Sequence, residues 1–294
     1  MAGLRSMTGF GRGEASDAKW KVVVELATVN RKQFDCALAM PRELISLDAR
    51  LQALFRSELT RGAVKGTVLV EPVDATAAAF DAEKLRARVA ALRQTAAALG
   101  LRDDLTAASL AAIASGDSSL LRAVPEADSV WPTLERAASA ALKALCQMRE
   151  TEGAVLEKDL RTRLDDLRTM RGQLARRAPD VPREGKAALE KRLAALLEGV
   201  AELDPQQIAR EAAVLADRCD VSEELTRLDS HFAQFDGMLK AGGACGRSLD
   251  FLCQEMFREI NTTGSKANDA EMTRGVIAFK AKLETVREQV QNVE

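Results

Sequence analysis

The hydrophobic period of this chain changes once, near Asp81, and that change limits what the chain can fold into. Ahead of it, "KWKVVVELATVN" and "GTVLVEPV" are β-branched runs of strand length, and "FDCALAMP" alternates until Pro41 stops it. Between Arg42 and Arg61, Leu44, Leu47, Leu51, Leu54 and Phe55 recur at helical spacing, with Gly62 just past the end. Residues 4–73 thus read as a lobe of about four strands and one helix, left through Pro72 and "DATAAAF". Beyond Asp81 the period is helical. "DAEKLRARVAALRQTAAALG" reads as one helix closed by Gly100, and "SGDSSLLRAVPEADSVWP" as a loop. Trp131 to about Ala178 reads as one long helix or a gently broken pair, ended by the prolines of "APDVPREG" and followed by "KAALEKRLAALLEG". "DPQQIAREAAVLADRCDVSEELTRLDSHFAQFDGMLKAGG" reads as one long helix, with Asp204 as N-cap, Pro205 at the first position and Gly242 after the end. The fold class is α+β: a small N-terminal lobe of strands plus one helix, followed by a mainly α-helical body with long helices.

Composition agrees and narrows the function. Ala and Leu dominate, Tyr is absent and aromatic residues make up 4%, which favours helices over a β-sandwich. The net charge is −2, so a nucleic-acid partner would need a local basic patch rather than an overall field. The five cysteines form no C-x-x-C pair and read as reduced core thiols rather than a disulfide framework or a zinc site. No apolar h-region opens the chain and no stretch reads as membrane-spanning, so the expected location is cytoplasmic. The motifs of P-loop NTPases, α/β-hydrolases, zincins and thiol redox enzymes are all missing.

Three stretches carry chemistry. On a helix turning about 100° per residue, with Asp220 at zero, Asp217, Glu224, Arg227, His231 and Gln234 fall within about 60° of it. That polar stripe, beside an apolar one, holds the only histidine of the chain. In "GRSLDFLCQEMFREINTTGSKANDAE", Asp250, Gln254, Arg258 and Asn261 occupy one side. Glu255 and Glu259 lie close to the edge of the apolar stripe. Carboxylates four residues apart can share a divalent cation or a proton, and carboxylate ligands favour Mg²⁺ or Mn²⁺ over zinc. "NTTGSK" reads as a helix stop whose backbone N–H groups, Ser265 and Lys266 suit a phosphate. Near the start, Gly9, Gly11 and Gly13 alternate, which suits close backbone approach. Arg5, Arg12 and Phe10 lie beside them, and an RNA backbone contact and a bulged strand account for the pattern equally well. "TVNRKQFD" adds Asn30, Arg31 and Lys32. In the two helical stretches ordinary helix-surface ion pairs are the competing explanation.

"RSMTGFGRGE", "TVNRKQFD", "PRELISLDARLQALFRSELTRGAVKGTV", "MRETEGAVLEKDL", "ADRCDVSEELTRLDSHFAQF", "GRSLDFLCQEMFREINTTGSKANDAE" and "VREQVQNVE" resemble motifs of the YicC/YloC family of bacterial endoribonucleases. Arg31 stands where that family often has His, and Phe257 where it often has Asn. The resemblance implies a cytoplasmic RNA-cleaving enzyme that needs Mn²⁺ or Mg²⁺ and assembles as a homo-oligomer, a hexamer, around its RNA. It implies a YicC-like N-terminal region over 1–155 (the α+β lobe at 1–73, then helices), connecting helices over 156–204 and a C-terminal helical domain with the active site over 205–294. The expected catalytic residues are His231, Glu224, Glu255, Glu259 and Asp250, and the expected metal ligands Asp220, Glu224, Glu255 and Glu259. RNA is expected on Arg5, Arg12, Asn30, Arg31, Lys32, Arg227, Gln254, Arg258, Asn261, Ser265 and Lys266. The alternatives are a non-catalytic RNA-binding or adaptor protein of RNA decay and a purely structural helical assembly protein.

Overall fold

A computed structural model describes residues 3–31, 33–74, 81–115, 125–196 and 205–294. Lys32, Asp204 and residues 116–124, half of the expected loop at 115–132, lie outside the described residues, and residues 127–132 of that stretch are helical instead. The chain forms two compact units, residues 8–148 and residues 1–7 with 149–294.

In the first unit, β1 (Gly9–Ser16), β2 (Trp20–Val29), β3 (Asp35–Ala39) and β4 (Ala63–Pro72) form one sheet in the order β1-β2-β4-β3. β2 pairs antiparallel with β1 and β4, whereas β3 runs parallel to β4. The parallel pair needs a crossover, and a short 3₁₀ stretch (Arg42–Leu47) followed by α1 (Asp48–Arg56) provides it. The alternation of β2 now has a physical meaning. Trp20, Val22, Val24 and Leu26 are buried with Leu44, Leu51 and Phe55 and with Val130, Leu134 and Ala141 from α4 (Ala127–Arg177). Gly11 and Gly13 face that helix. A Cβ on Gly11 would stand 2.1 Å from the Ala141 carbonyl oxygen, and one on Gly13 2.1 Å from that of Ala137. Gly11 and Gly13 therefore admit a helix, and β1 pairs with β2 in unbroken register, without a bulge. α2 (Ala82–Ala98), capped by Asp81, and α3 (Ala107–Ser115) complete this unit.

The second unit is helical. It contains α4 from Arg149 onward, α5 (Asp180–Leu196), α6 (Pro205–Cys219), α7 (Ser222–Ala241), α8 (Gly246–Lys266) and α9 (Ala270–Val290). Leu160, Leu164, Leu228, Phe232, Phe235, Leu252, Met256 and Phe279 form its core. Residues 5–7 bond to 292–294 and to Arg149, whose buried guanidinium donates to the Ser6 carbonyl (2.6 Å) and the Glu294 carboxylate. Two expectations fail here. The single long helix from Pro205 is two helices, because the Asp220 carboxylate accepts from the Ser222 amide (2.9 Å) and hydroxyl, a local bond that competes with the helical one. Asp217 and Asp220 therefore do not continue the stripe of α7. The "NTTGSK" stretch does not stop its helix either. Gly264 lies against Val276, where a Cβ would meet Cγ1 at 3.0 Å, so this glycine serves helix packing, and α8 runs on to Lys266.

Candidate active site

α7 and α8 pack through their apolar faces, and each carries an acid at the edge of that contact. Leu225, Leu228, Phe232 and Phe235 line α7, and Leu249, Leu252, Met256 and Ile260 line α8. Glu224 on α7 is 5% exposed and Glu259 on α8 is 7% exposed. A buried carboxylate needs a compensating partner. For Glu224 it is Lys266, the last residue of α8, whose Nζ stands 2.6 Å from Oε1. For Glu259 it is Arg227 of α7, at 3.4 Å, which also holds Glu223 at 2.5 Å. The two helices thus exchange charges, each lending a base to the acid of the other. The Glu224 hydrogen bond raises the Lys266 pKa, and Glu223, then Glu259, raise that of Arg227. Asp220, in the break before α7, keeps a lowered pKa through the Ser222 hydroxyl and amide, with a smaller effect from Lys266. Glu224 Oε2 is buried with no hydrogen-bond partner.

The other expected residues are spread around this cradle. His231 lies two turns along α7 from Glu224, partly buried, with no hydrogen-bond partner for its buried Nδ1, so neither preceding acid orients that atom. Glu255 pairs with exposed Arg258 at 2.7 Å. Asp250 accepts from Gln254 (2.7 Å) and Arg287 (2.8 Å). The Ser265 hydroxyl donates to the Thr262 carbonyl (2.9 Å), and Asn261 is exposed. Arg5 pairs with Glu150 in this unit, whereas Arg12 pairs with Glu25, and Arg31 with Asp35, in the other. Residue types alone point to the acids and miss their partners. By sequence Lys266 suits a phosphate at a helix stop, and only helix packing brings it to Glu224.

Among the described residues no three His, Cys, Asp or Glu side chains are grouped to hold a metal ion. Mg²⁺ and related ions use one or two carboxylates completed by water and phosphate oxygens, so a three-ligand cage is not required. The free Oε2 of Glu224 is a donor of the right chemistry, and the residues fit such an ion on that ground. No described helix is long and apolar enough to cross a membrane.

An α+β unit joined to a helical unit with an acid–base cradle between two helices defines the class structurally. The sequence comparisons supply the family. The model described as "Endoribonuclease YicC-like, N-terminal region" matches residues 4–158, and that described as "Endoribonuclease YicC-like, C-terminal" matches 174–294. The chain belongs to the YicC-like endoribonuclease family. It is 31% identical to a probable endoribonuclease YicC of Clostridioides difficile (strain 630), over 98% of this chain and 99% of the relative. It is 30% identical to a probable endoribonuclease YicC of Haemophilus influenzae, over 99% of this chain and the whole of the relative.

Proposed function

We propose that this chain is a cytoplasmic endoribonuclease that cuts phosphodiester bonds in single-stranded or structured RNA, as part of RNA turnover, and that α7 and α8 hold its active site. The observation that carries this reading is Glu224. It is a buried carboxylate with one oxygen held by Lys266 and the other without a partner, in a chain of a family named for RNA cleavage.

Cutting RNA needs a base for the attacking oxygen and positive charge for the phosphate as negative charge develops on it. In this reading Glu224 offers Oε2 either to the metal ion or to the proton of the attacking oxygen, one at a time. Lys266 keeps its charge, and with Arg227 it can offset the charge on phosphate. His231, with no acid locking Nδ1, is a second group able to move a proton. The proposed cofactor is Mn²⁺ or Mg²⁺, with Glu224 and Glu259 as its first ligands and Asp220 and Glu255 as outer carboxylates. When bound, such an ion neutralises phosphate charge and lowers the pKa of a coordinated water. Self-association, as a hexamer, is part of the reading. It is supported by apolar groups that one chain leaves open, including Phe10, Val29 and Leu69 on the uncovered sheet face.

Incubating the purified chain with end-labelled RNA, with Mn²⁺ or Mg²⁺ and with EDTA, tests the activity and the metal together. Internal cuts that EDTA abolishes are expected. Salt-sensitive binding without cuts would instead support an RNA adaptor.

A further inference from the structure

The outer face of α8 carries a second polar pattern, separate from the cradle. Arg247, Phe251, Gln254, Arg258, Asn261 and Ser265 are spaced by four, three, four, three and four residues, and all six are exposed. At 3.6 residues per turn they fall within about 80° of one another and run for about 27 Å along the helix. No residue of the stripe is acidic, and the two carboxylates that touch it are each paired with a guanidinium: Glu255 with Arg258 at 2.7 Å, and Asp250, which accepts from Gln254 at 2.7 Å, with Arg287 at 2.8 Å. Arg247 makes no ion pair or hydrogen bond with a described residue. Phe251 lies between the two arginines. At 57% exposed it is the most open aromatic ring among the described residues, in a chain with few such rings. Isolated exposed apolar residues are common on protein surfaces. This one lies in line with two guanidiniums, two amides and a hydroxyl, and the stripe ends beside Lys266 of the cradle.

From this arrangement we infer that the outer face of α8 is a track for single-stranded RNA, with a base stacked on Phe251 and phosphates on Arg247 and Arg258. The inference rests on the nuclease reading above and says how substrate reaches that site. Charge complementarity decides the occupant: an acid-free row with two arginines suits a polyanion, and a bare ring between them suits the face of an unpaired base. Bases in a duplex are stacked on one another and do not offer that face. The row has room for about four nucleotides, the low end of known single-strand site sizes.

The test is binding of labelled oligouridine, of an abasic oligomer of equal length and of duplex RNA to the full chain, in EDTA. The variants are Phe251→Ala, Phe251→Leu and Phe251→Trp. The ring is exposed, so the variants should fold, which circular dichroism checks. Removing one stacked base weakens binding by about 5- to 150-fold. Alanine and leucine should cause that loss for oligouridine, tryptophan should retain affinity, and abasic and duplex binding should not change. Arg247→Gln should lower the log–log salt slope by about 0.7 for each phosphate of the single strand that it no longer neutralises. Equal oligouridine binding by Phe251→Ala and wild type overturns the track, and so does a weakening shared by the abasic strand. A changed mass in light scattering with unchanged affinity would make Phe251 a contact between copies and also overturn it. If wild type still cuts RNA in those cases, the nuclease reading stands alone. If wild type neither binds nor cuts RNA, both fall.

Discussion

Replacing Gly13 by alanine should unfold the first unit more easily, by an amount that follows from the contact between β1 and α4. The new Cβ would lie 2.1 Å from the Ala137 carbonyl oxygen and 2.4 Å from the Ala141 amide nitrogen. Ordinary carbon–oxygen contacts begin near 3.3 Å, so strand and helix must separate by about 1.2 Å. Both clashing atoms belong to backbone, and β1 is held on its other side by its ladder to β2. Overpacking of this kind costs about 1–3 kcal/mol, while alanine recovers about 0.5–1 kcal/mol of unfolded-chain entropy. A net loss of about 2 kcal/mol is expected, because neither backbone can rotate away as a side chain would. Urea unfolding measures it, with Gly237→Ala as control. No neighbour lies within 4 Å of a Cβ at Gly237, in the interior of α7, so the same substitution there should stabilise by about 0.5–1 kcal/mol. A Gly13→Ala midpoint at or above wild type would refute the close contact. Unchanged stability with weakened RNA binding would return this glycine to the role of an RNA contact.

Two further substitutions probe the helical unit. Arg149→Met leaves the buried Glu294 carboxylate without its guanidinium, and chemical denaturation should show a loss of about 3–5 kcal/mol. Asp269 caps α9 through the Met272 amide, and the Arg177 guanidinium, then that amide, hold its carboxyl down at about 2 against an ordinary 3.8. Its contribution is therefore complete above the unfolded value and fades as pH falls through the folded one. Asp269→Ala should cost about 0.5–2 kcal/mol near neutral pH and flatten the stability curve between about pH 4 and 2, as followed by thermal melts.

Much of the fold was legible because its signals are local. β-branched runs marked β2 and β4, Pro41 ended the alternating run of β3, and Gly100 and Gly242 took the positive φ expected past helix ends, whereas α1 stops at Arg56, short of Gly62, which leads into β4. The errors came where a side chain has two local uses. Asp220 fits a helix by its spacing but instead bonds the Ser222 amide and hydroxyl. Gly264 resembles a terminator, yet it lies inside α8 against Val276 of α9. The acids of the cradle were visible from their angle on a helix. Their pairing was not, because Glu224 with Lys266 and Arg227 with Glu259 depend on how two helices are staggered. No spacing within one helix records that stagger.

The most direct measurement is single-turnover cleavage of one labelled RNA by wild type, Glu224→Gln and Glu255→Gln, with metal and at saturating protein. Glutamine keeps the shape of Glu224 and removes the charge that Lys266 neutralises. The account predicts a rate at least about 100-fold lower for Glu224→Gln, with RNA affinity equal or higher. Glu255→Gln should have a smaller effect, since Glu255 is paired with solvent-exposed Arg258. A folded Glu224→Gln protein that cuts at the wild-type rate would contradict the account and move the active site away from the contact of α7 with α8.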